Sequence, residues 1–137
     1  MKVSKIQEKL SFLQKALEKI KQTSKKIIET IEKEISENYG KFLSIKKEND
    51  FELLLNYFGN ELHICAQIAY CSKCSYQGEI VCFYQDKDKK IYLTEGKYSF
   101  NSIGNFTEVF DVYVCIESLL TKLHKELSEK QILVNLI

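Results

Sequence analysis

The stretch IQEKLSFLQKALEKIKQTSKKIIETI, residues 6–31, decides how this chain is built. Ile6, Leu10, Leu13, Leu17, Ile20, Ser24, Ile27 and Ile31 recur at steps alternating between four and three. That is the heptad seam of a coiled-coil helix with one polar member. Leu10, Leu17, Ser24 and Ile31 take the a positions, and Ile6, Leu13, Ile20 and Ile27 the d positions. The next d position is Glu34, so the seam ends there, and the apolar stripe moves to Ile28, Ile31, Ile35 and Tyr39, which suits packing on a globular body. A helix over residues 3–38 would be about 54 Å long at 1.5 Å per residue. A head of about 100 residues has a radius of gyration near 13 Å, so such a helix is expected to protrude and to need a partner for its stripe. The alternative is an ordinary amphipathic helix that folds back on the head, broken near Thr23-Ser24.

Composition divides the chain at the end of this helix. Residues 1–38 hold a single aromatic, Phe12, and no glycine, cysteine or histidine; the other 15 aromatics and all five glycines and five cysteines follow. The expectation is a coiled-coil helix over 1–38 and an α+β globular head over 39–137. In the head, β-rich runs at 42–45, 51–58, 62–70, 79–85, 91–93 and 98–100 are joined by short turns such as Gly59-Asn60 and Asp86-Lys87-Asp88-Lys89-Lys90. Short turns make antiparallel hairpins, which predicts a four- to five-stranded meander. After Gly104, Asn105 with Glu108 reads as a capping box opening a second helix. Its apolar face is Phe106, Val109, Phe110, Tyr113, Ile116, Leu120, Leu123 and Leu127, expected to cover one side of the sheet. The apolar tail Ile132-Leu133-Val134-Asn135-Leu136-Ile137 is expected to add an edge strand or to dock on the helix.

All 20 basic residues of the 137 are lysine, and proline and tryptophan are absent too. Without arginine there is no bidentate fork for phosphate or guanine, which counts against sequence-specific nucleic-acid reading. No phosphate-cradling glycine loop, G-x-S-x-G elbow or H-E-x-x-H pair occurs. No apolar run reaches the roughly 18–20 residues of a membrane span. The N-terminus lacks the apolar core of a signal peptide. With an odd number of cysteines, this makes an intracellular, reducing setting the expectation. The formal charge of +1 is uneven: residues 1–26 carry eight lysines against Glu8 and Glu18. Like-charged pairs such as Lys15/Lys19 weaken an isolated helix, which suits either an acidic companion or a solvated lysine face.

Candidate chemistry is sparse. Cys71-Ser-Lys-Cys74, with His63, Cys65 and Cys82, contains the donor types of a structural zinc site, but a single C-x-x-C reads first as structural. His63 and Cys65 share a strand face, the arrangement of a Cys/His nucleophile, although a histidine on a half-exposed strand explains it as well. Cys115 reads as a small core residue. The sequence therefore predicts no catalytic residues, no metal ligands and no cofactor. Partner-binding residues are expected at Ile6, Leu10, Leu13, Leu17, Ile20 and Ile27, against a coiled-coil protein in a hetero- or homo-oligomer, without membrane insertion. The alternative is a small intracellular binding or inhibitor protein of bacterial, viral or mobile-element origin.

The order coiled coil, Tyr39-Gly40-Lys41-Phe42, meander, then a helix opening at Asn105-Phe106 and running through Phe110 and Tyr113 resembles the kinetochore subunits that carry an RWD-type head on a coiled-coil stalk. The resemblance implies a non-enzymatic adaptor of chromosome segregation, nuclear or chromosomal, whose head binds a peptide or a neighbouring subunit.

Overall fold

The computed structural model describes residues 4–71, 75–86, 88–94, 98–101 and 111–129. Helix α1, Lys5–Tyr39, begins where Ser4 caps it. The Ser4 hydroxyl accepts a hydrogen bond from the Gln7 backbone N–H at 3.1 Å, and the Gln7 side chain accepts one from the Ser4 N–H at 2.9 Å. This reciprocal box satisfies two donors that a helix start leaves bare. The helix runs through Thr23-Ser24 without a break.

Five antiparallel strands follow in meander order: β1 (Ser44–Asn49), β2 (Glu52–Tyr57), β3 (Asn60–Cys71), β4 (Ser75–Asp86) and β5 (Lys89–Tyr92). A sixth, β6 (Ser99–Phe100), pairs with β4 at Gly78 and Glu79, beyond the part of β4 that β5 occupies. The sheet is thus the expected meander with one more short strand. The β2–β3 connection is a two-residue turn in which Phe58 (φ 47°) and Gly59 (φ 88°) are both left-handed. That geometry matches the twist of the flanking strands. Glycine adopts it freely and phenylalanine does not. The turn is held by the Gly59 N–H donating to Asn56 Oδ1 at 2.8 Å and by Asn60 Nδ2 donating to the Tyr57 carbonyl at 3.2 Å.

Helix α2, Val112–Glu129, starts at Asp111, whose Oδ1 accepts from the Val114 N–H at 3.1 Å. The capping box expected at Asn105, the residues Phe106, Val109 and Phe110, and the apolar tail lie outside the described residues. Ile116 and Leu123 are buried and Leu120 and Leu127 half-buried, as their spacing requires. Tyr113, however, is exposed, and Cys115 and Leu119 are buried in its place. The buried stripe is therefore rotated from the predicted one toward Cys115 and Leu119.

Both helices lie on one face of the sheet. Ile20, Ile28, Ile31 and Ile35 of α1 share one core with Leu53, Leu55, Leu62, Ile64, Ile80, Cys82 and Tyr84 of the sheet and with Cys115, Ile116, Leu119 and Leu123 of α2. At 1.5 Å per residue α1 is about 52 Å long. At about 3.3 Å per residue the 12-residue strands β3 and β4 extend about 40 Å. A sheet that long gives most of the helix a surface to lie on, which the compact head assumed from residue number alone does not. No described helix is long and apolar enough to cross a membrane.

Candidate interaction surface

At about 100° per residue, Ile6, Leu10, Leu13 and Leu17 fall within the same arc, about 80° wide, as Ile20, Ser24, Ile28, Ile31 and Ile35. One straight stripe thus runs the length of α1, and its two ends have different fates. From Ile20 onward it is sealed against the sheet: Ile20, Ile28 and Ile35 are fully buried. Toward the N-terminus, Leu17 and Leu13 are half-buried, and Leu10 and Ile6 are 59% and 65% exposed. Of the six residues expected to meet a partner, Ile20 lies in the chain's own core and Ile27 packs against its margin. Ile6, Leu10, Leu13 and Leu17 remain as one contiguous strip on the projecting turns. The handover from Ile27 to Ile28 follows from the 3.6-residue turn of a straight helix, which drifts away from a strict 3.5 repeat.

Charge isolates the strip further. Lys25 reaches Asp50 at 4.0 Å, and Lys47 lies 3.6 Å from Asp50 and 3.9 Å from Glu29, so ion pairs tie the sheet-bound part of α1 to the β1–β2 corner. Lys5, Lys9, Lys15 and Lys19 form no ion pair among the described residues. The projecting segment therefore offers an apolar strip on a helix that carries a surplus of unneutralised lysines.

The other candidate groups are distributed by the alternation of the strands. His63 and Cys65 of β3 face away from the helices, with Val81 and Phe83 of β4, whereas Cys82 points into the main core. The imagined zinc set is thus divided between two faces, and Cys74 lies outside the described residues. Among the described residues no group of three or more His, Cys, Asp or Glu side chains is placed to hold a metal ion.

On that outer face His63 Nδ1 lies 3.1 Å from Glu52 Oε1, and its ring stacks on Phe83 at 4.6 Å between centroids and 3° between planes. Tyr92 packs on the other side of Phe83 at 5.4 Å, and Lys90 Nζ sits 4.9 Å from the Phe83 centroid. Burial, followed by the Glu52 charge, pushes the Cys65 thiol up to about 11, with Lys90 acting in the opposite direction. Burial also drives Cys82 well above the ordinary thiol range. A nucleophilic cysteine needs the reverse, a thiolate stabilised at neutral pH, so the His63/Cys65 pair is arranged for packing and not for attack.

The sequence reading missed Glu52 as the partner of His63, because the two meet only through β2–β3 register, in which Glu52 sits opposite Cys65 and diagonal to His63. It missed the Ser4 cap as well, although Ser4 with Gln7 three residues on carries that signature in plain view. Compared with protein families, with curated proteins and with solved structures, the chain matches none.

Proposed function

We propose that the chain is a non-enzymatic protein–protein interaction subunit, in which the projecting turns of α1 join a helix of a partner protein through Ile6, Leu10, Leu13 and Leu17. The observation that carries this is the continuity of one stripe, sealed inside the chain from Ile20 and bare at Leu10 and Ile6, in a helix whose start is fixed by a complete capping box. The lysine surplus on those turns favours an acidic helix over a second copy, which would set lysine against lysine. The element order behind the RWD-type resemblance extends the proposal to a chromosome-segregation assembly, which localisation of the tagged protein to chromosomes tests.

The direct experiment compares wild type with Leu10→Asp/Leu13→Asp. Purified wild type should be monomeric by light scattering and should co-purify with a helical partner when isolated from its own cells. The double variant should lose that partner while remaining folded. Retention of the partner by the double variant would sink the reading.

A second reading, a self-contained binding or inhibitor domain, draws on the burial of Ile20, Ile28, Ile31 and Ile35 against the chain's own sheet. It predicts that replacing Leu10 and Leu13 changes no activity of the protein in its cells.

A further inference from the structure

The two outer strands of the meander guard their edges with charge: β1 carries Lys46, Lys47 and Glu48, and β5 carries Lys89 and Lys90. Such residues discourage another chain from pairing. Among the described residues, a third edge lies inside the sheet and carries no guard. Strand β2 begins only at Glu52, opposite Cys65, and the last contact on that side is the Ala66 N–H donating to the Phe51 carbonyl at 2.8 Å. β3 continues to Cys71 and pairs with β4 on its other side throughout. Among the described residues, no strand lies along the β2 side of β3 past Ala66. By alternation, the N–H and C=O of Ile68 and Tyr70 point the same way as those of Ala66, outward along this open side. The stretch is Ala66-Gln-Ile-Ala-Tyr70, without a single charged residue.

A pocket stands at the start of this edge. A cavity of about 200 Å³ opens under α1, lined by Lys21, Ser24, Phe51, Ala66 and Ile68. That exceeds the roughly 150 Å³ of a cavity that accepts benzene, so it takes one large aliphatic or aromatic side chain. Ile68, although on the helix side of the sheet, is 38% exposed because the helix leaves it uncovered. Ser24 is 2% exposed and its hydroxyl has no hydrogen-bond partner. Three other helical hydroxyls, those of Thr30, Thr121 and Ser128, donate to the carbonyl four residues back, at 2.7–2.8 Å. Ser24 makes no such bond, and its small side chain at an a position of the seam leaves the cavity unfilled. Lys21 stands at the rim without an ion pair, whereas Asp50 beside Phe51 is already matched by Lys25 and Lys47.

We infer that this edge binds an extended segment of a partner protein by strand addition: the segment pairs with β3 along Ile68–Tyr70, seats one large apolar side chain in the Ser24 pocket and sets an acidic residue beside Lys21. Main-chain hydrogen bonds provide the affinity in this mode, and the pocket provides the selection. The site is separate from the strip on the projecting turns of α1 and stands without it.

The test uses the full chain and a displayed library of random ten-residue peptides. Enriched sequences should share an apolar residue with an acidic neighbour. A synthetic hit should lose about tenfold or more in affinity when its edge-facing amide is N-methylated, a loss expected where main-chain hydrogen bonds carry the binding. It should weaken similarly on Ser24→Leu, which fills the pocket, and on Lys21→Glu at low salt. Lys21 is exposed, so that variant, like the N-methylated peptide, does not depend on how Ser24→Leu folds. Failure of the library to enrich, hits indifferent to Lys21→Glu and to N-methylation, or hits that bind as helices would overturn the inference. The strip at Leu10 and Leu13 is tested by different variants, so either proposal can fail alone.

Discussion

The Tyr39 hydroxyl donates a hydrogen bond of 2.6 Å to Glu117 Oε1, joining the last residue of α1 to the second turn of α2 across 78 residues of sequence. Burial, and then the carboxylate, hold that hydroxyl above the ordinary tyrosine range. The bond adds a polar tie to two helices that already share one apolar core. Tyr39→Phe should keep the ring packing and cost about 1 kcal/mol, the usual net worth of such a bond near the surface. Urea denaturation at neutral pH measures it. A variant as stable as wild type would mean that the bond contributes nothing to holding the helices together.

The divided stripe of α1 predicts an uneven response to truncation. Ile28→Ala removes a fully buried side chain and should cost about 2–4 kcal/mol. Leu10→Ala, on the exposed part of the same stripe, should change the stability of the isolated chain by less than about 0.5 kcal/mol. Thermal or urea unfolding of the two purified variants separates them, and equal losses would contradict the burial gradient.

Gly78 lies on the helix side of β4, where the Phe100 ring of β6 rests directly against it, leaving no room for a β-carbon. Gly78→Ala should force the ring aside at a cost of about 1–3 kcal/mol, as overpacking of a filled site does. The damage should be local. Amide exchange at Ser99 and Phe100 should accelerate, while β2 and the first half of β3 keep their protection.

Alkaline pH should weaken the fold through its thiols. An unfolded thiol releases its proton near pH 8.5. The folded chain keeps Cys65 protonated to about 11 and Cys82 well beyond the ordinary range. The unfolded state thus binds fewer protons at high pH. The stability is fully present below about pH 8.5 and is lost as pH rises, at up to about 1.4 kcal/mol per pH unit for each such group. Urea midpoints measured under reducing conditions at neutral and alkaline pH check this, and Cys65→Val should flatten the decline. A midpoint constant to high pH would rule out the thiols as its source.

The meander was legible because glycines and polar turns stand between alternating runs, and strand boundaries came within a few residues. β1 and β4 shifted most, since Lys46, Lys47 and Glu48 disguise an edge strand as a loop, and Ser75–Gly78 looks like a turn until Tyr76 is seen opposite Tyr70. Ile28, Ile31 and Ile35 were readable as sheet-facing. Ile20 was not, because heptad spacing describes a stripe without saying what covers it: a partner's helix and a long strand pair satisfy the same residues. The open side of β3 was invisible for a related reason. Among the described residues it arises because β2 is six residues long and β3 twelve, a mismatch that becomes an edge once the register is fixed.

The anchoring of α1 also has a kinetic side. Starting a helix in water is costly and extending one is cheap. The turns from Ile20 to Ile35, pinned to the sheet, are a permanent nucleus from which the helix grows outward to Ser4. If it docks on a partner as proposed, the projecting segment would do so as a ready-made rod that frays only from its tip, with little ordering left to be done at the moment of contact. On the proposed reading, helix-favouring replacements at bystander positions such as Ser11 should then leave association nearly unchanged, because the segment is already helical.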